Sequence, residues 1–301
     1  MALLAHRGDA KLDLLAFTRI VHDVVRASAD GTCHFLDFRL ASSFQPVFGV
    51  REYRAVGFEA FTRALDSSGH PVPSEKLFDE RGDVPRLLLD WVSRALHLRN
   101  FASIDPGDAM LHLNVRACTA VEDIALTSAF RELIGYYGLS ARRVCVEIPG
   151  GGCEDESRLA EAVAVYRDLG IAIALGGFGT GRSNIDRLVR LRPDFVRLGR
   201  SVLVDAVGDE NARRALPSLV GFLRDSGSKV VIEGIESVAD ADLAIEAGAD
   251  CLQGFYLGSP LRGFKDDLLT RRILAELVRV RGRVAARADF SGAGALAARG
   301  N

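Results

Sequence analysis

Apolar residues in this chain fall into short continuous runs that alternate with stretches of helical spacing. Eight runs read as strands, at residues 44–48, 54–63, 109–115, 143–148, 171–175, 195–198, 229–233 and 251–253. Between them, apolar residues recur every three to four positions. Leu87, Leu88, Trp91, Val92, Ala95 and Leu96 form one such face. Leu159, Ala162, Val163, Tyr166 and Leu169 form a second, and Leu216, Leu219, Val220 and Leu223 a third. Ser237 and the pair Glu154/Asp155 offer oxygens for helix starts; Gly170, Gly227 and Gly248 stand where helices should stop.

Strands that are apolar throughout are covered on both faces, as in a parallel sheet flanked by helices. Eight such βα units predict an α/β fold, a modified (β/α)8 TIM-type barrel. Residues 49–53 are too few for a helical crossover, so the first strand pair must be antiparallel. The barrel is expected over residues 41–264. Residues 1–40 read as an N-terminal helical extension. Its segment 11–26 places Leu14, Phe17, Val21 and Val24 on one stripe, with Leu15 beside it. Packing on the barrel is the expectation; a dimerisation helix is the alternative. Some 40 residues are too few for a cyclase or sensor domain ahead of the barrel. Residues 265–301 read as a helix over 266–281 and an Ala/Gly/Arg-rich flexible tail from about Arg287.

Composition changes this picture little. The chain has 301 residues, 48% hydrophobic and 26% charged, as an ordinary folded protein does. A net charge of −2 gives no pull towards a nucleic-acid polymer or an anionic membrane. No apolar run is long enough to span a bilayer, and the opening Met-Ala-Leu-Leu-Ala-His-Arg is too short for a signal peptide. The five cysteines, Cys33, Cys118, Cys145, Cys153 and Cys251, are odd in number and lack CxxC spacing. They read as free thiols of a reducing cytoplasm, not as a zinc site.

Polar residues recur at the C-terminal ends of the strands, where barrel enzymes carry their chemistry. Asn114, Glu147, Glu233 and Gln253 end four of them, Glu236 follows three residues after Glu233, and Glu59, Arg63 and Arg197 lie on two more. Singly, each reads as a solvated strand end or a satisfied buried group. Recurrence at one level points to a shared site, and three carboxylates with an asparagine form an oxygen set suited to Mg²⁺ or Mn²⁺. The loop Gly176-Gly177-Phe178-Gly179-Thr180-Gly181 follows a strand and precedes a helix, as a phosphate cradle does. A dinucleotide site would also need an acidic residue about 20 positions on, where Arg-Leu-Gly stands at 197–199. NAD is therefore discounted.

Eight segments then carry a family resemblance, in order over residues 40–264. They are Phe44-Gln45-Pro46-Val47, Gly57-Phe58-Glu59-Ala60-Phe61-Thr62-Arg63, Leu113-Asn114-Val115 and Val144-Cys145-Val146-Glu147-Ile148. The others are Gly177-Phe178-Gly179-Thr180-Gly181-Arg182-Ser183-Asn184, Pro193-Asp194-Phe195-Val196-Arg197-Leu198, Val231-Ile232-Glu233-Gly234-Ile235-Glu236 and Cys251-Leu252-Gln253-Gly254-Phe255. The chain resembles the EAL domain family of cyclic di-GMP phosphodiesterases, with Glu59-Ala60-Phe61 at the signature. The resemblance implies two divalent metals that activate a water against one phosphodiester.

Glu59, Asn114 and Glu147 correspond to ligands of one metal and Glu233 to a ligand of the other. The family's bridging aspartate falls at Gly176 and its neighbour at Gly177. Arg197 occupies the catalytic lysine position, and Gly199 that of the aspartate two residues beyond. Glycine brings no oxygen, and Arg197 cannot deprotonate. The expectation is a degenerate domain without catalytic residues, needing no cofactor, with Mg²⁺ or Mn²⁺ binding lost or weak. Arg197 is expected to form a bidentate ion pair with Glu233 or Glu147 in place of the absent cation. Gln45, Arg63, Asn114, Glu233 and Gln253 are the positions left to hold cyclic di-GMP, Arg63 as phosphate ligand. Arg182 stands where the family has a small or aromatic residue. The resemblance also implies dimer contacts through the glycine loop and the helix after it. Three functions follow: a cyclic di-GMP receptor or adaptor with a protein partner, an interaction module that no longer binds the nucleotide, or a residual phosphodiesterase.

Overall fold

The computed structural model describes residues 14–26, 30–78, 86–104, 107–151, 155–179 and 185–261. Ten strands lie in this span: β1 (Thr32–Phe35), β2 (Phe38–Gly49), β3 (Arg54–Leu65), β4 (Pro71–Val72), β5 (Met110–Asn114), β6 (Val144–Pro149), β7 (Ala172–Phe178), β8 (Phe195–Leu198), β9 (Lys229–Ile232) and β10 (Cys251–Leu252). The order β2-β10-β9-β8-β7-β6-β5-β3, closed by β2 pairing with β3, makes an eight-stranded barrel. Seven of its strands are parallel; β2 runs antiparallel to both neighbours. The TIM-type barrel with an antiparallel first pair is thus the observed architecture. The first pair is longer than the sequence pattern indicated, 12 residues in each strand. It extends beyond the barrel wall, where β1 pairs with β2 and β4 with β3. β2 therefore begins at Phe38, and β1 lies within the stretch read as a helical extension.

The helices are α1 (Leu14–Arg26), α2 (Ser74–Leu77), α3 (Arg86–Ser103), α4 (Ala117–Glu122), α5 (Thr127–Tyr136), α6 (Glu156–Asp168), α7 (Ile185–Leu191), α8 (Arg200–Gly208), α9 (Glu210–Asp225) and α10 (Val238–Glu246). Their apolar faces close on the wall. Trp91, Val92, Ala95 and Leu96 of α3, Leu159, Val163 and Tyr166 of α6, and Leu216, Val220 and Leu223 of α9 are all buried. Each large apolar side chain so removed from water contributes roughly 1.5–3 kcal/mol. α1 belongs to the same core. Phe17, Val21 and Val25 are buried in it, and the Phe17 ring meets Trp91 edge-on at 5.5 Å.

Local chemistry fixes the helix ends. Ser237 Oγ accepts from the Asp240 N–H while Asp240 accepts from the Ser237 N–H, a reciprocal cap on α10. Asp155 caps α6 by accepting from the Arg158 N–H. Gly170, Gly227 and Gly248 end their helices at φ of 82°, 94° and 89°. Of the cysteines, Cys33, Cys145 and Cys251 are buried free thiols and Cys118 is half-buried. Cys153, Glu154, Arg182 and the expected C-terminal helix and tail lie outside the described residues.

Candidate functional site

Strand alternation carries the polar residues to the inside of the barrel. Gln45 comes from β2, Glu59 from β3, Asn114 from β5, Glu147 from β6 and Arg197 from β8, while Glu233 and Gln253 directly follow β9 and β10. β3 and β8 are not neighbours in the sheet, yet Arg197 Nη2 donates to Glu59 Oε2 at 2.7 Å. Such a bond exists only through the lumen, so these residues form one cluster at the mouth.

Arg197 is its hub, with no solvent exposure. Its Nε–H donates to Glu233 Oε1, and Nη2 donates to Gln253 Oε1 as well as to Glu59. Glu147 Oε2 lies 3.1 Å from Nε, an ion pair without an aligned hydrogen bond, because the single Nε–H points at Glu233. The expected bidentate pair is therefore corrected. The guanidinium spreads its N–H groups over three acceptors, Glu59, Glu233 and Gln253, meets Glu147 by charge alone, and doubles on none. Around it, Gln253 Nε2 donates to Glu59 Oε2 (2.9 Å) and Gln45 Oε1 (3.1 Å), and Asn114 Nδ2 donates to Glu59 Oε1 (2.7 Å). Gln45 Nε2 reaches the Gly258 carbonyl at 3.0 Å.

Burial sets the electrostatics. It pushes the Glu147 carboxyl well above the usual range, Glu59 and Glu233 push the same way, and Arg197 opposes them. Glu233 is raised by burial, with Arg197 again opposing. The three carboxylates in turn hold Arg197 firmly protonated against its own burial. One layer below, His112 is kept neutral to about 3 by burial and by the Arg197 charge.

The β7 end contributes backbone only. Gly176 lies against Glu147: a Cβ there would stand 2.6 Å from Glu147 Oε1. Gly177 has φ of 63°, in the left-handed region. Gly199 is the N-cap of α8 and caps it with no side chain. Arg63 is not part of the cluster. It is exposed near the end of β3, with Nε donating to Ser43 Oγ at 3.0 Å. Glu236 pairs with Arg200 on the rim. The sequence pattern missed a cavity of about 480 Å³ beside Glu59 and Asn114, lined on α3 by Asp90, Ser93, Arg94 and His97. These four sit at helical spacing on the side of α3 opposite the face read as apolar, and that polar stripe was the available signal.

Comparison with known proteins agrees with this architecture. The sequence model of the EAL domain matches residues 35–260. The chain belongs to the EAL domain family. An uncharacterised protein of Azorhizobium caulinodans is 30% identical over 234 residues, which cover 74% of this EAL chain and 32% of that protein. The uncharacterised EAL-domain protein YkuI of Bacillus subtilis is 28% identical over 241 residues, 77% of this chain and 58% of YkuI. The probable cyclic di-GMP phosphodiesterase PdeB of Escherichia coli is 26% identical over 75% of this chain and 43% of its own. The EAL chain thus spans about a third to just over half of these relatives. The crystal structure of YkuI with cyclic di-GMP and calcium superposes with a TM-score of 0.71 at 25% identity, covering 93% of this chain and 66% of YkuI. Among the described residues no helix is long and apolar enough to cross a membrane.

Proposed function

We propose that this EAL chain is a catalytically inactive signalling domain, acting as a cyclic di-GMP receptor or as an adaptor through protein contacts. The observation that carries the reading is the position of Arg197, buried among Glu59, Glu147 and Glu233. Metal-dependent hydrolysis in this family rests on carboxylates free to bind two divalent ions, with one carboxylate bridging them. Here the carboxylates already face a guanidinium, and β7 offers glycine at both loop positions. These residues do not suit a metal pair, and no step is routed through one. Cyclic di-GMP bound to YkuI supports the ligand. Arg63, exposed at the mouth, is its phosphate contact, with Gln45, Asn114, Glu233 and Gln253 lining the floor.

A second reading has its own support. The side-chain amides of Gln45, Asn114 and Gln253 are already engaged inside the cluster. A floor so satisfied gains little from a ligand, which favours a protein-interaction module that has lost the nucleotide. Calorimetry with cyclic di-GMP, in EDTA and in Mg²⁺, decides. Binding that is equal in both media and at least tenfold weaker in Arg63→Ala is the expected result. No heat at high protein concentration would favour the interaction module. Formation of linear pGpG, abolished by Glu59→Ala, would overturn both in favour of a residual phosphodiesterase.

A further inference from the structure

We propose that the end of the barrel opposite the candidate site holds a second binding site, for a small neutral aromatic molecule that carries one N–H or O–H group. Indole and phenol represent the class.

The site is a cavity of about 230 Å³ at the N-terminal ends of the parallel strands. Val47 of β2, Val56 of β3, Met110 and His112 of β5, Phe195 of β8 and Cys251 of β10 line it. Val47, Val56, Phe195 and Cys251 belong to a small apolar cluster of their own, apart from the two larger cores. Barrel interiors are ordinarily filled by layers of side chains. Here one layer is left short by Gly57, two residues before Glu59 on β3. A Cβ at that position would stand 2.9 Å from His112 Nε2, so the imidazole lies where a side chain would otherwise be. Walls that face a void forfeit contacts that a ligand can restore. A cavity of about 150 Å³ already admits benzene, so this one has room for a substituted ring.

Two observations set the chemistry of the ligand. The first is His112. It is 2% exposed, and its Nδ1 is buried without a hydrogen-bond partner. Buried polar atoms are nearly always bonded, and an N–H or O–H brought into the cavity would donate to Nδ1. The His112 ring meets Phe195 edge-on at 5.4 Å, a geometry that suits a further flat ring between apolar walls. The second is the rim, where Arg51 and Lys229 stand against Glu52 and Asp250. These charges balance, so no net field draws an ion into the cavity. Asp250 is engaged besides, accepting from the Val230 N–H at 2.9 Å, and Lys229 Nζ lies 5.9 Å over the Phe195 ring. A metal does not suit the site either: among the described residues no three His, Cys, Asp or Glu side chains converge on one point.

The test is calorimetry and saturation-transfer NMR on the full chain with indole, phenol and indene, which has the shape of indole without its N–H. Indole and phenol should bind saturably and raise the melting temperature by several degrees. Indene should bind at least tenfold more weakly than indole. His112→Leu should bring indole down to the affinity of indene. Val56→Phe, which fills the cavity from β3, should abolish binding of all three; Met110→Phe fills it from β5 and serves if the first variant folds poorly. The proposal is overturned if neither indole nor phenol binds saturably, or if indene binds as tightly as indole. It is overturned equally if indole binding is undiminished in His112→Leu or in the filled variants, which would place the ligand elsewhere on the molecule. Cyclic di-GMP and divalent ions enter none of these measurements, so the outcome is independent of the reading of the barrel mouth.

Discussion

Position 176 and position 147 share one small volume. A Cβ on residue 176 would stand 2.6 Å from Glu147 Oε1, inside van der Waals contact. Gly176→Asp alone should therefore cost about 1–3 kcal/mol by crowding and leave the protein without phosphodiesterase activity. Urea unfolding checks the first part and pGpG formation the second; a gain of stability would contradict the steric account. Arg197→Ala removes the only cation in contact with Glu59, Glu147 and Glu233 among the described residues. The loss should be on the order of 3–5 kcal/mol, as for other buried pairs broken on one side. A urea midpoint near that of wild type would show that the cluster is not strained by its charge. Arg197 and the glycines at 176, 177 and 199 were legible along the chain. The partners of Arg197 were not. Contacts across a lumen depend on barrel diameter and rotamer, and neither is written in the spacing along one strand.

At the scale of elements, periodicity served well where packing is two-sided. β8 was located to the residue, and the α3, α6 and α9 faces are the ones buried. β1 and β4 escaped because they are two- to four-residue extensions of a hairpin, too short for any period to register. α4 and α5 fill the connection after β5, for which no helix face had been read. α1 shows how much an apparent appendage can matter. Its Phe17, Val21 and Val25 lie within the main core. Phe17→Ala should cost about 3–5 kcal/mol, read as a lowered urea midpoint; a dimerisation helix would instead show a concentration-dependent change in mass with little effect on the monomer's unfolding. The Ser237 cap is worth less, and Ser237→Ala should cost about 1 kcal/mol.

For the molecule as a whole, pH acts through opposed groups. His97, held between Ser42 Oγ at 2.8 Å and Thr62 Oγ1 at 3.1 Å, is kept neutral to about 3 by burial, as His112 is by burial and Arg197. Their folded pKa values lie below the ordinary 6.5, so the unfolded chain binds protons first. Stability is full above 6.5 and drains as pH falls towards 3, by up to about 1.4 kcal/mol per pH unit for each imidazole. Glu147 and Glu233 are raised above 4.5, so the folded chain holds their protons longer and stability falls as pH rises past that value. Urea midpoints measured from pH 4.5 to 9 should therefore pass through a maximum. His97→Gln should flatten the acid limb and Glu147→Gln the alkaline one; midpoints that do not vary with pH would refute both assignments.

The chain returns to β2 after the last strand. Leu261 exchanges both backbone hydrogen bonds with Phe44, and the Gly258 carbonyl holds the Gln45 amide. Gln45 in turn grips Gln253, and Gln253 grips Arg197 and Glu59. Mechanically this is a short lever with its fulcrum at the 44–261 bridge. A load on Leu261 reaches β2 directly through the backbone pair, while one on Gly258 reaches the Gln45 amide. The end of the described chain and the mouth of the barrel are thus joined in series, through three side chains.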